Sequence, residues 1–233
     1  MKLGILNTDT VKPEFAAKHG EYPDMFAELF HLVDPDISLM TYEVVHGEYP
    51  SDIDEVDGYV ITGSKHSVYD DIPWINKLKN FVRQLHSEEK KIIGICFGHQ
   101  LVAEALGGKT GQAETGWCVG VHKNKFTDAA KDYGLTSSGF KIPSNHKDQV
   151  LELPPGGKLL ARTETCPISA MGLGDHILTF QGHPEFSEGY ARALLDMRRK
   201  IFGEMHYREA INSFKNETNN SQVASWILDF ISR

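Results

Sequence analysis

The sequence predicts an α/β fold: a doubly wound, mainly parallel sheet with flanking helices and a small antiparallel section. Three observations predict it. An apolar, β-branched run (Ile92, Ile93, Ile95) breaks at Gly94-Ile95-Cys96-Phe97-Gly98 and passes at once into a helical stretch. Strand-like and helix-like segments alternate before it. After it, from Gly107 to about Leu173, short strand-like runs are separated by Gly, Pro and Asn turns.

Taken in order, Lys2 to Leu6 reads as a buried strand, followed by a polar loop through Gly20. Tyr22 to Leu32 carries Met25, Phe26, Leu29 and Phe30 at helical spacing, so it is expected to pack on the sheet. Ile37 to Val45 and Gly58 to Thr62 are the next strands. Pro73 suits the first turn of a helix running to His86, with Trp74, Leu78, Phe81, Val82 and Leu85 inward. Lys91 to Ile95 is then a buried strand, and Gln100 to Leu106 a helix closed by Gly107-Gly108. The antiparallel section is expected from Val119–Lys123, Val150–Leu153, Lys158–Ala161 and Ile168–Met171. Ile177 to Gln181 is another buried strand, and Ser187 is an N-cap for a helix to Phe202. Asn212 to Gln222 is polar, and Val223 to Ile231 reads as a closing helix.

No linker-like stretch divides the 233 residues, so residues 1–233 are expected to form one domain. A net charge of −8 argues against nucleic acid as a partner. Arg198-Arg199-Lys200, the one tight basic cluster, is expected on a solvated helix face. Three cysteines (Cys96, Cys118, Cys166) cannot pair completely and do not resemble a secreted disulfide framework. Cys118-x-x-x-His122 has the look of half a zinc site with no second half, so neither metal nor cofactor is expected. The N-terminus turns polar too soon for a signal peptide, and no apolar run is long enough to span a bilayer. A cytoplasmic protein without a membrane partner is expected.

Gly94-Ile95-Cys96-Phe97-Gly98 has the form of a nucleophile elbow with cysteine as the central residue. Such a strand-to-helix turn strains its central residue, and flanking side chains would collide. It also sets the sulfur at a helix N-terminus, whose free N–H groups favour thiolate. Cys96 is therefore the expected nucleophile. It needs a base, and the base an orienting group. Of eleven histidines, two have a carboxylate two residues later, His146-Lys147-Asp148 and His183-Pro184-Glu185. The second follows an apolar strand, and Pro184 restricts its backbone. The spacing favours His183 with Glu185, and leaves His146 open.

Acyl transfer generates an oxyanion that fixed N–H donors must face. One donor in an elbow is the residue after the nucleophile, Phe97. The loop after the third strand, with Gly63 allowing an unusual turn and Ser64 supplying an N–H, is the expected second. Gln100, in the first helical turn, offers an amide to a polar substrate.

Gly94-Ile-Cys-Phe-Gly-His-Gln100 and Gly182-His-Pro-Glu185 together resemble the motifs of the class I (triad) glutamine amidotransferases, such as the glutaminase domain of GMP synthase. The resemblance implies a flavodoxin-like fold, a Cys96–His183–Glu185 triad and a γ-glutamyl thioester. Thr62-Gly63-Ser64-Lys65 falls where that family has Ser-Gly-Gly-Pro, so the second glycine and the proline are both replaced. Ser144-Asn145-His146-Lys147-Asp148 resembles its Ser-His-Gly-Asp or Asn-His-Gly loop, with Lys147 at the usual glycine. By that resemblance Gln100, Asn145, His146, Lys147 and Asp148 hold glutamine or another γ-glutamyl small molecule. Gly116-Trp117-Cys118-Val119-Gly120 reads as a buried strand or as a further wall of the pocket.

Three functional readings follow, in this order. The first is a glutaminase that passes ammonia to an acceptor, such as a separate synthetase subunit, because no ATP-type phosphate loop is present. The second is a γ-glutamyl peptidase or hydrolase. The third is a non-catalytic or redox-sensing relative of the fold, disfavoured by the presence of His183 and Glu185.

Overall fold

The computed structural model describes residues 1–233. In chain order the strands and helices are β1 (Lys2–Asn7), α1 (Pro13–His19), α2 (Tyr22–His31), β2 (Ser38–Glu43), β3 (Gly58–Ile61), α3 (Pro73–Ser87), β4 (Lys91–Ile95), α4 (Phe97–Ala105), β5 (Lys109–Gln112), β6 (Cys118–Phe126), β7 (Gly139–His146), β8 (Asp148–Glu152), β9 (Lys158–Arg162), β10 (Ala170–Leu173), β11 (Ile177–Phe180), α5 (Glu188–Phe202), α6 (Glu204–Ser213) and α7 (Asn220–Ser232).

Nine strands form one sheet in the order β2-β1-β3-β4-β11-β10-β9-β6-β7, while β5 and β8 form a separate antiparallel pair. From β2 to β11 the neighbours run parallel; beyond β11 each pairing is antiparallel. Apart from the edge strand β2, the parallel strands are buried on both faces, which explains their continuous apolar runs. One face is covered by α2 and α7 through Phe26, Phe30, Ile227 and Phe230. The other is covered by α3 and α4 through Leu78, Val82, Leu101 and Val102. The fold is thus a doubly wound α/β sheet with an antiparallel section, as expected; β10, β9, β6 and β7 of that section extend the main sheet, and β5 with β8 stand apart from it.

Some elements differ from the sequence reading. The segment taken as a polar loop contains α1, started by Pro13, with no buried residue. On α3 the fully inward residues include Ile75, while Trp74 and Phe81 are only partly buried. The helix after the elbow begins at Phe97, immediately after Cys96. The polar region before α7 is preceded by α6, which buries only Ala210. Strand β7 has no counterpart in the sequence reading, since Pro143 in its middle argues against a strand. Proline is tolerated there because β7 is the sheet's edge strand. It matters for the site, because the Pro143 carbonyl accepts the His183 N–H at 2.8 Å. No helix is long and apolar enough to cross a membrane.

Candidate active site

In a doubly wound sheet, functional groups gather at the carboxyl ends of the strands. Here β1 delivers Thr8 and Asp9, β3 delivers Thr62 to Lys65, β4 delivers Cys96, and β11 delivers His183 and Glu185. A cavity of about 420 Å³ opens over these ends, with Gly63, Ser64, Cys96, Phe97 and His183 in its wall. That volume falls in the range of small-molecule sites.

Cys96 has φ 52° and ψ −99°, in the left-handed region where a side chain is strained. The turn is held by the Cys96 N–H, which donates to the Phe180 carbonyl at 2.9 Å. Its flanking glycines are required by close approach. A Cβ on Gly94 would lie 2.6 Å from the Gly98 carbonyl oxygen, and one on Gly98 would collide with the Ile61 carbonyl. Phe97, as the first residue of α4, has an N–H without an intrahelical partner.

The His183 ring is buried and stacks on Phe186, with centroids 3.9 Å apart. Its Nδ1 donates to Oε1 of Glu185 at 2.7 Å, which leaves Nε2 for another partner. Burial opposes a charge on this imidazole. The Glu185 carboxylate, then the nearby Cys96 sulfur, outweigh burial and lift its pKa to about 10. Gly63 lies against both groups: a Cβ there would be 2.9 Å from His183 Cε1 and 3.7 Å from Cys96 Cβ. Gly63 does not adopt a positive φ. Glycine is needed there for space.

The other candidate pair separates. His146 Nδ1 donates at 2.9 Å to the backbone carbonyl of Asp148, not to its carboxylate. That carboxylate accepts from Ser67 Oγ at 2.5 Å and from Tyr69 Oη at 3.0 Å. Both residues still line the cavity, with Asn145 and Lys147. Gln100 also lines it, but Nε2 is committed to the Asp148 carbonyl at 2.7 Å and to Gln181 Oε1 at 3.2 Å. This leaves its carbonyl oxygen, rather than its amide protons, for a ligand. His99, within the elbow motif, plays a structural part. Its Nε2 donates to the Ile168 carbonyl at 3.1 Å and its Nδ1 accepts from Thr179 Oγ1 at 2.7 Å. Burial lowers its pKa to about 3, so it stays neutral.

The sequence reading assigned no pocket role to Arg198, Tyr22 or Tyr190, which line the cavity. Arg198 does not lie on a solvated face with Arg199 and Lys200. Its Nη1 donates to Asn145 Oδ1 at 2.9 Å, and its guanidinium lies 5.3 Å from the Trp117 ring centre. Both readings of the Gly116 to Gly120 segment hold in part: Cys118 to Gly120 begin the buried strand β6, and Trp117, just before it, walls the cavity. Tyr22 and Tyr190, from α2 and α5, line it as well. Beside the cavity lies a second thiol–imidazole group. Cys118 Sγ is 3.5 Å from His122 Nε2 and 3.4 Å from Thr165 Oγ1, and Cys118 is paired in register with His146 across β6 and β7. Burial would raise the Cys118 pKa. Hydrogen bonding from His122, followed by the charge of His146, brings it down to about 5.

Comparison with known proteins agrees with this architecture. The model of the family described as glutamine amidotransferase class-I matches residues 34–197. The chain is 32% identical to a glutamine amidotransferase-like protein of Schizosaccharomyces pombe, covering 98% of each. It is 36% identical to γ-glutamyl peptidase 4 of Arabidopsis thaliana, over 82% of this chain and 79% of that protein. Among solved structures, a glutamine amidotransferase from Thermotoga maritima superposes with a TM-score of 0.75 at 15% identity, covering 99% and 96% of the two chains, a likeness of fold. On the extent of these matches, the chain belongs to the class I glutamine amidotransferase family.

Proposed function

We propose that this protein hydrolyses γ-glutamyl amide bonds through a γ-glutamyl thioester on Cys96. The observation that carries the reading is Cys96 and His183 in the wall of one cavity at one end of the sheet, with Glu185 bonded to His183 behind it. In this mechanism the Cys96 thiolate attacks the γ-carbonyl carbon, forming the C–S bond and leaving negative charge on the carbonyl oxygen. The N–H groups of Phe97 and Ser64 stabilise that oxygen. The His183 imidazolium gives its proton to the departing nitrogen as the C–N bond breaks. Neutral His183 then takes a proton from water, which attacks the thioester and releases glutamate and thiolate. Glu185 holds the imidazole in the tautomer these steps need. General acid–base help of this kind contributes about 10²–10⁴-fold.

For the substrate, Gln100, Asn145, His146, Lys147 and Asp148 are assigned to the amino-acid head. The opposite charges of Lys147 and Asp148 suit a zwitterion. γ-Glutamyl peptides are favoured as substrates over glutamine. The similarity to a γ-glutamyl peptidase over most of both chains supports this, as does a cavity whose aromatic wall (Tyr22, Trp117, Tyr190) leaves room for a leaving group larger than ammonia. Family membership supports the second reading, glutamine hydrolysis with ammonia delivered to a partner synthetase.

Purified protein should be offered glutamine, glutathione and γ-glutamyl dipeptides, with glutamate and ammonia both measured. Glutamate without ammonia from the peptides is the expected result. Equal release of both from glutamine, with peptides untouched, would favour the second reading. No turnover of any γ-glutamyl compound would remove both.

A further inference from the structure

The loop that carries Ser64 is held by the loop after β1. Thr8 is completely buried, and its hydroxyl finds its closest carbonyl acceptor in Gly63 at 2.8 Å. The Thr8 N–H donates to Thr62 Oγ1 at 2.9 Å, and Ser64 Oγ donates to the Thr8 carbonyl at 3.1 Å. Asp9, also buried, accepts the Lys65 N–H on Oδ2 at 2.8 Å. Its Oδ1 takes the Thr10 N–H at 2.9 Å and the Lys65 ammonium at 2.7 Å.

Peptide planarity gives these bonds a specific consequence. The Gly63 carbonyl and the Ser64 N–H belong to one rigid plane and point in opposite directions. A hydroxyl that fixes the carbonyl therefore fixes the N–H. The next plane, between Ser64 and Lys65, is held in the same way by Asp9 through the Lys65 N–H. The two planes flanking Ser64 are thus clamped from one side, and the Ser64 N–H itself has no acceptor within the protein. At position 65 a proline would leave Asp9 no backbone proton to accept.

We propose that Thr8 and Asp9 are positioning residues for the oxyanion site: they touch no reacting atom, and they aim the Ser64 N–H at the place where negative charge develops. This rests on the proposed γ-glutamyl hydrolysis. A donor needed only by the transition state contributes to kcat and little to substrate binding.

The test compares Thr8→Val, which keeps the shape and loses the hydroxyl, with Thr8→Ser, which restores it, and with Asp9→Ala and Asp9→Asn. Removing an oxyanion donor outright costs about 10²–10³-fold, so Thr8→Val and Asp9→Ala are each expected to lower kcat at least about tenfold with KM within about threefold. Thr8→Ser is expected to recover most of the loss. Asp9→Asn, whose carbonyl can still accept the Lys65 N–H, is expected to fall between Asp9→Ala and the parent. Alkylation of Cys96 by iodoacetamide forms no oxyanion, so its rate should not change in any of the four. Losses confined to KM, or alkylation slowed along with turnover, would overturn the proposal, as would an inactive Thr8→Ser. Should Asp9→Ala not fold, Thr8→Val and Thr8→Ser decide the matter by themselves. A parent protein that turns over no γ-glutamyl compound defeats the underlying hydrolase reading, and the positioning role falls with it. An active parent with unaffected variants defeats the positioning role alone.

Discussion

The Nδ1 of His183 lies 2.7 Å from Oε1 of Glu185, and both side chains are buried. Burial opposes the imidazolium, but the Glu185 carboxylate and the Cys96 sulfur together outweigh it, which is why the His183 pKa rises to about 10. Replacing Glu185 by Gln keeps the shape and removes the charge. The imidazolium is then less stable, so the alkaline limb of the kcat/KM profile should move to lower pH, with kcat reduced by about 10²-fold or more. Stability follows the same sign. A raised histidine pKa contributes fully below about 6.5 and is lost as pH rises through about 10. The difference in Tm between parent and Glu185→Gln should therefore narrow from pH 6 towards pH 10, as followed by thermal unfolding.

Gly98 tests the packing of the elbow without touching a reacting group. A methyl there meets the Ile61 carbonyl, a backbone atom that cannot rotate aside. Gly98→Ala should lose about 1–3 kcal/mol in urea unfolding, the usual cost of overpacking a filled site. Turnover should fall as well, because β3 and β4 both end at the site.

His99 is expected to be a structural histidine. Its folded pKa of about 3 lies below the 6.5 of an exposed imidazole, so the unfolded chain binds its proton first. The contribution of neutral His99 is complete above about pH 6.5 and is lost as pH falls towards about 3. His99→Ala should cost about 1–3 kcal/mol at pH 7, because it leaves the Ile168 carbonyl only the weak Cys166 thiol as donor. It should also flatten the acid side of the stability profile, which a urea series at several pH values would measure.

Cys118 gives an independent check on the electrostatics beside the cavity. With its pKa near 5, it should be a thiolate at neutral pH although it is buried. Ultraviolet thiolate absorbance of a Cys96→Ala protein should titrate near pH 5, and His122→Ala should move that transition upward. Cys166, whose pKa burial raises, should contribute nothing at neutral pH.

What the sequence disclosed was local or periodic. The elbow could be read because close backbone approach requires glycine two residues to either side of Cys96. The parallel strands could be read because burial on both faces leaves a continuous apolar run. His183 and Glu185 were legible through their short spacing beside Pro184. The same spacing at His146 and Asp148 left a second, less favoured pair open, yet those residues end β7 and begin β8, and imidazole meets carbonyl rather than carboxylate. Arg198, Tyr22 and Thr8 left no signal because nothing near them in sequence marks a cavity that only the tertiary fold assembles. Strand β7 was hidden by Pro143, whose missing N–H costs nothing at a sheet edge.

The central claim is that Cys96 carries the γ-glutamyl group during turnover. It is tested most directly by acid-quenching the protein during hydrolysis of a γ-glutamyl peptide and mapping the adduct by mass spectrometry. The account predicts a γ-glutamyl mass increment on the peptide containing Cys96, absent from Cys96→Ala, which should be folded and inactive. An adduct on another residue, or a Cys96→Ala protein with full activity, would contradict it.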